Sequence, residues 1–273
     1  MPVATGSRRF DQVRSMTFVT IELDGHVATV TLSRPEALNA ISGEVANELA
    51  GALLQAAADP EAWVVVLGAA GDRAFCVGAD LKERNRLDDS GWLQNRVFMR
   101  AMFDSLRAIP QPTVASVFGH ALGGGFELAL SCDLIVASDD AVFGLPEVRV
   151  GIVPGGGGTQ LLVRKVGVAR AKDLILTGRR ISAAEALDIG LVARVVQREA
   201  LAAATEELAA ELCRSSPVAV REAKRAMEMG LGLPQEQGIE LEDLAWRRAV
   251  ASEDRCEGIA AFNEKRDPLW KGR

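Results

Sequence analysis

The feature that most constrains this chain is a recurring cycle of buried strand, turn, helix and strand. Trp63-Val64-Val65-Val66-Leu67 is a short apolar run without alternation, the mark of a strand covered on both faces. Residues 113–118 and Leu134-Ile135-Val136 repeat it. Helical patterns lie between and before these runs. Residues 42–58 place Val45, Leu49, Leu53 and Leu54 at i, i+4, i+8 and i+9. Residues 90–109 read as a second helix, with Val97, Met102 and Leu106 assigned to its inner face, and 126–130 as a third that opens from a glycine cluster. Pro35, Pro60, Pro110 and Pro112 punctuate the cycle. Apolar strands joined through helices predict a parallel sheet built by right-handed crossovers. A hairpin precedes it, because residues 18–23 and 27–32 flank Asp24-Gly25, the dipeptide of a type I′ turn.

From Ala183 onward strand signals almost vanish. After Arg198 helix follows helix, divided by Pro217 and the break at 230–234, and the chain ends in a short polar tail. The division is therefore a flexible N-terminus at 1–16, an α/β core at 17–197 and a helical section at 198–273. Two apolar faces of that section, Leu201, Leu208 and Leu212, then Ile239, Leu244 and Trp246, have little local core to cover them and predict an interface between copies.

Composition excludes several functions. With 48% hydrophobic and 25% charged residues in 273, the chain is neither disordered nor a disulfide-stapled mini-fold. Its 31 Lys plus Arg against 37 Asp plus Glu leave a net charge of -6, the wrong sign for a generic nucleic-acid binder. Cys76, Cys132, Cys213 and Cys256 are dispersed without a C-x-x-C pair, which points to reduced thiols in a cytoplasmic protein. No apolar run approaches the ~20 residues of a membrane span, and the first sixteen residues lack a signal-peptide core. P-loop, dinucleotide-fingerprint, G-x-S-x-G and H-E-x-x-H motifs are missing. There is no tyrosine and there are two histidines. His26, after the hairpin turn, reads as a surface residue, and His120, beside a glycine cluster, as a packed one. Asp88-Asp89 reads as a solvated helix start, and no metal site is expected.

Three glycine-rich segments remain. They are 74–82 (AFCVGADLK), 119–127 (GHALGGGFE) and 144–159, which runs from Gly144-Leu145-Pro146-Glu147 to Gly155-Gly156-Gly157-Gly158-Thr159. Glycine lets backbone approach a ligand and exposes N–H groups. Gly123-Gly124-Gly125 ends where a helix begins, so its N–H groups sit at the positive end of a macrodipole, a place that stabilises an oxyanion. Each cluster has a carboxylate in or beside it.

These segments resemble the enoyl-CoA hydratase/isomerase (crotonase) superfamily over about residues 17–272. Residues 75–82 look like its first CoA-binding segment, 121–129 like its second, and Pro146-Glu147 with 152–160 like its third. The resemblance implies an α/β spiral of repeated ββα units forming two nearly perpendicular sheets, then helices that assemble homotrimers, commonly paired into hexamers. It implies that the N–H groups of Ala79 and Gly124 hold the thioester oxygen and that Glu127 and Glu147 are the catalytic carboxylates. Leu38, Gly78, Asp80, Leu81 and Lys82 would contact CoA, with Lys82 near its phosphates, while Phe262 and Lys265 would reach a neighbouring subunit's CoA. Coenzyme A then enters as part of an acyl-CoA substrate, with no separate cofactor, metal, nucleic acid or membrane partner.

The chemistry suits these residue types. Negative charge grows on a thioester oxygen as water attacks C3 of a 2-enoyl chain, and two fixed N–H donors stabilise it. Two glutamates can take a proton from water and deliver one to C2. Retention of both favours hydration over isomerisation, which commonly uses one. Residues 76–84 (CVGADLKER) are also similar to the AU-binding methylglutaconyl-CoA hydratase branch, whose substrate bears a second carboxylate. Arg84, Arg86, Arg96 and Arg100 lie in the segment that shapes the acyl pocket, and general 2-enoyl-CoA hydration is the first reading. The RNA binding of that branch rests on a lysine-rich first helix, whereas 42–58 here contains no lysine or arginine and carries Glu44 and Glu48, which argues against it.

Overall fold

A computed structural model describes residues 14–273. Strands β1 (Arg14–Ser15), β2 (Val19–Asp24) and β3 (Val27–Leu32) lead into α1 (Gly43–Ala58), β4 (Val64–Ala69), α2 (Leu81–Arg84) and α3 (Asp89–Arg107). Next come β5 (Thr113–Val117), β6 (His120–Leu122), α4 (Gly124–Ser131), β7 (Leu134–Ser138) and β8 (Val142–Gly144). The remainder is α5 (Gly158–Val166), α6 (Val168–Thr177), β9 (Arg180–Ser182), α7 (Ala183–Asp188) and β10 (Arg194–Val196), then α8 (Leu201–Cys213), α9 (Pro217–Gly230), α10 (Gln235–Val250) and α11 (Glu253–Glu264).

Seven strands form one sheet in the order β1-β2-β3-β4-β5-β7-β10, and β6-β8-β9 form a smaller one. The β2–β3 hairpin is antiparallel with Asp24 opposite Val27. From β3 to β10 every pairing is parallel, as helical crossovers require. The α/β class and the helical C-terminal section are as expected. Of the flexible terminus expected at 1–16, residues 1–13 lie outside the described residues, while Arg14 and Ser15 already pair with Ile21 and Thr20.

The sheet is covered on both faces, which explains the unbroken apolar strands. On one face Val30, Leu32, Val65 and Leu67 pack into a core shared with α1, α3 and α4. On the other, Val64, Val66, Val114 and Val136 meet Leu201, Leu208 and Ala209 of α8. That second cluster corrects one expectation: Leu201 and Leu208 are 6% and 7% exposed, so the α8 face is spent inside the chain. In α10, Ile239, Leu244 and Trp246 stay 52%, 44% and 62% exposed.

A second correction concerns α3. Val97 is 66% exposed, whereas Met99, Met102, Phe103 and Leu106 are buried. At 100° per residue Val97 lies about 160° from Met99 around the axis, and the true stripe runs through Asn95 and Met99. The polar tail also packs: Trp270 Nε1 donates to the Arg214 carbonyl at 2.9 Å and the Glu253 N–H to the Arg273 carbonyl at 2.8 Å.

Candidate active site

The first two glycine segments meet at the start of α4. Ile41 and Ala79 form a parallel bridge, in which the Ile41 N–H donates to the Gly78 carbonyl at 2.8 Å and the Asp80 N–H to the Ile41 carbonyl at 2.9 Å. The alternation leaves the Ala79 N–H pointing the other way, with no acceptor among the described residues. Gly124 begins α4, so its N–H has no intrahelical partner. Gly123 makes this turn at φ 53° and ψ −127°, a conformation open to glycine. A Cβ on Gly78 would lie 2.9 Å from the Gly124 nitrogen, and one on Gly124 3.8 Å from the Ala79 nitrogen. Two unpartnered N–H groups therefore sit side by side with only hydrogen between their backbones.

Glu127 and Glu147 enter the same cleft, a space of about 800 Å³ that also borders Gly78, Ala79, Leu81 and Gly124. Glu127, one turn into α4, is 3% exposed. Its Oε1 accepts from the N–H groups of Gly156 and Gly158 at 2.7 and 2.8 Å. Burial raises its pKa, while those donors oppose the rise by favouring the carboxylate. Glu147 begins a 3₁₀ turn, Glu147–Val150, behind Pro146. Its Oε2 is buried without a partner among the described residues. Burial, reinforced by the Glu127 charge, pushes its pKa to about 7. The site thus pairs a donor-held carboxylate with one that favours its proton, beside two free N–H donors.

The other expected contacts are scattered. Leu38 is in the left-handed region at φ 54°, and its carbonyl accepts the Val77 N–H at 3.2 Å. The Asp80 carboxylate is occupied. It pairs with Arg34 at 2.8 Å and caps α2 through the Lys82 and Glu83 N–H groups. Burial opposes its ionisation, but Arg34 and those N–H groups win and hold its pKa below the usual value. Lys82 is exposed on α2. Phe262 is 83% exposed on α11, and Lys265 ends that helix at φ 55°; neither borders the cleft of its own chain. Neither histidine does: His26 stacks on Trp63 at 3.5 Å between ring centroids, and His120 lies on β6. Among the described residues no three His, Cys, Asp or Glu gather as metal ligands, and no helix is long and apolar enough to cross a membrane.

Of the α3 wall of the cleft, made by Trp92, Asn95, Arg96, Met99 and Phe103, the sequence reading names only Arg96. Their spacing of i, i+3, i+4, i+7 and i+11 is a helical face that could have been read. It also missed Arg107, whose Nη1 donates to the Gly156 carbonyl at 2.6 Å and fixes the loop that holds Glu127.

Comparison with known proteins gives a consistent result. The family model for enoyl-CoA hydratase/isomerase matches residues 22–273. A Bacillus subtilis protein named as an enoyl-CoA hydratase/isomerase is 43% identical over 247 residues, 90% of this chain and 95% of that one. The short-chain-enoyl-CoA hydratase of Clostridium acetobutylicum is 41% identical over 253 residues, 91% of this chain and 95% of that one. The crystal structure of enoyl-CoA hydratase from Bacillus anthracis matches with a TM-score of 0.92 at 40% identity, covering 94% of this chain and 100% of that one.

Proposed function

Because the chain belongs to the enoyl-CoA hydratase/isomerase family, we propose that it hydrates 2-enoyl-CoA thioesters to 3-hydroxyacyl-CoA. The observation that carries this reading is the pair of unlike carboxylates, Glu127 and Glu147, on one cleft beside the free N–H groups of Ala79 and Gly124. The thioester oxygen accepts both N–H bonds, and the helix α4 N-terminus favours the charge that grows there. Glu127, held as a carboxylate, takes a proton from water as the water oxygen bonds to C3. Glu147, carrying its proton, gives it to C2. Water adds across the double bond, and a proton passing from Glu127 to Glu147 resets the pair. No separate cofactor enters, since coenzyme A arrives with the substrate.

Glu127→Gln and Glu147→Gln should each lower kcat by about 10²–10⁴ while still binding acyl-CoA. The double variant should lose far less than the product of the two effects, because the residues act as a unit. Loss of enoyl absorbance with crotonyl-CoA reads both. Wild-type rates in both single variants defeat the proposal. If only Glu147→Gln is silent while a 3-enoyl-CoA is shifted to 2-enoyl, the enzyme is an isomerase.

The exposed α10 face supports assembly into trimers or hexamers. Light scattering of the full chain should give three or six copies, and a stable, active monomer contradicts that.

A further inference from the structure

The two N–H groups beside the glutamates are backed by different structures. The Gly124 N–H shares a peptide group with the Gly123 carbonyl, which accepts the Glu127 N–H at 2.9 Å as α4 begins. The helix dipole stands behind that donor. Ala79 lies in an extended bridge instead. Its N–H shares a peptide group with the Gly78 carbonyl, which accepts the Ile41 N–H at 2.8 Å. The Ile41 N–H in turn shares a peptide group with the Ala40 carbonyl, and that oxygen accepts from Nη1 of Arg34 at 3.0 Å. A guanidinium and two peptide groups thus form one unbroken chain of hydrogen bonds that ends, at the Ala79 N–H, on the cleft.

Arg34 is built into its place. The same Nη1 donates to Oδ2 of Asp80 at 2.8 Å, and the guanidinium carbon lies 5.7 Å from the Phe18 ring centroid. Its backbone N–H donates to Oδ1 of the buried Asn39 at 2.8 Å. Asn39 spends its amide on the Ala70 and Ala74 carbonyls at 2.9 and 3.0 Å, which ties residues 34–41 to the loop leading into Gly78. The Arg34 and Asp80 side chains are 22% and 12% exposed, so water screens this charge only in part. The other carboxylate nearby, Glu36, is exposed and 3.9 Å from Nε. Arg34 does not border the cleft and can act there only through its neighbours. In a chain of hydrogen bonds each bond polarises the next, and a charged donor at the head is stronger than a neutral one.

We propose that Arg34 is a positioning residue for the reaction: through the 40–41 and 78–79 peptide groups it orients and polarises the Ala79 N–H, as helix α4 does for Gly124. This rests on the reading of Ala79 and Gly124 as donors to the thioester oxygen, and not on whether water is then added. Asp80 acts one step further back, by holding the guanidinium against the Ala40 carbonyl. An ion pair that only braced the fold would behave differently. Loss of either partner would then have the same effect, whereas the chain needs the guanidinium and not the carboxylate.

Butanoyl-CoA, a saturated thioester labelled with carbon-13 at its carbonyl, reads the donors without turnover. Infrared difference spectra of the full chain should place the bound carbonyl stretch below its position in water. Asp80→Asn, whose side chain can still cap α2, should keep that downshift. Adding Arg34→Met to Asp80→Asn leaves no unpaired charge and should remove part of the downshift. It should also lower kcat for crotonyl-CoA by about 10-fold relative to Asp80→Asn, less than the roughly 10²–10³ of losing a donor outright, with KM little changed. Circular dichroism and oligomer size confirm the fold. Arg34→Gln alone, which keeps a neutral donor, is the second variant and should also show a smaller downshift than the wild type. An undiminished downshift in either Arg34 variant overturns the proposal, and so does a loss already complete in Asp80→Asn. A wild-type protein with no downshift refutes the two donors and this proposal with them. A wild-type downshift that ignores Arg34 refutes only this proposal.

Discussion

Glu127 and Glu147 reach the cleft from backbones of different kinds. Glu127 stands on α4, where Gly125, Phe126, Leu128, Ala129 and Leu130 are all buried. A Cβ on Gly125 would lie 2.0 Å from the Cys76 carbonyl oxygen, so this wall has no slack. Its carboxylate is clamped by the Gly156 and Gly158 N–H groups, and that loop is itself pinned by Arg107. Glu147 stands on a four-residue 3₁₀ turn that ends at Gly151 with φ 77°, and Val150 and Val153 nearby are 60% and 71% exposed. One wall is rigid and supplies donors; the other is lightly built and leaves Glu147 Oε2 bare. The difference teaches how one residue type can do two jobs. Burial raises both carboxyls, but the loop donors oppose the rise at Glu127 and favour its charged form, while Glu147, with only its own backbone donor against burial, is raised to about 7 and can give a proton near neutral pH.

The comparison can be broken first at its steric end. Gly125→Ala should destabilise the fold by more than about 3 kcal/mol, because backbone rather than a flexible side chain blocks the new methyl. Thermal unfolding, or loss of soluble protein, reads this. A Gly125→Ala protein that melts with the wild type would mean the α4 wall is not tight.

The electrostatic difference gives the next largest effect, of opposite sign. Glu147 has its pKa raised from 4.5 to about 7. Below 4.5 both folded and unfolded chains hold its proton, and stability is at its full value. As pH rises from 4.5 through 7 the unfolded chain releases the proton first, and that stability is lost. Glu147→Gln should therefore be near neutral at pH 4 and stabilising by roughly 3 kcal/mol at pH 8. Denaturant unfolding at the two pH values checks the sign, and a pH-independent difference rejects it. The smallest effect belongs to the lighter wall. At Gly151 an added Cβ meets nothing within 4 Å, so Gly151→Ala should cost only the strain of a positive φ, about 1 kcal/mol. A loss comparable to that of Gly125→Ala would show that the two walls are equally tight.

Much of this was legible in the sequence, for physical reasons. The Asp24-Gly25 hairpin, helix α1 and the buried β4, β5 and β7 are set by local pattern, and each stands within two residues of its expected place. Val97 was misassigned because α3 has apolar residues on more than one face. The burial of Leu201 and Leu208 was invisible because their partners, Val64 and Val136, come from the sheet far upstream. The β6-β8-β9 sheet consists of three-residue strands, too short for a period to show. At the site, glycine clusters and carboxylates marked the right segments. The clamp on Glu127 from residues 29 and 31 positions later, and the placing of Arg84 and Arg96, but not Arg86, at the border of the cleft, exist only in the fold.

The division of labour between the two glutamates is tested most directly by titrating them. Carbon-13 NMR of protein labelled at the glutamate side-chain carboxyl, with Glu127→Gln and Glu147→Gln to assign the signals, follows each group from pH 4 to 9. Glu147 should be half-protonated near pH 7, with Glu127 ionising first. A Glu147 that titrates as an ordinary carboxyl below pH 5, or a Glu127 that holds its proton to higher pH than Glu147, would contradict the assignment of base and acid.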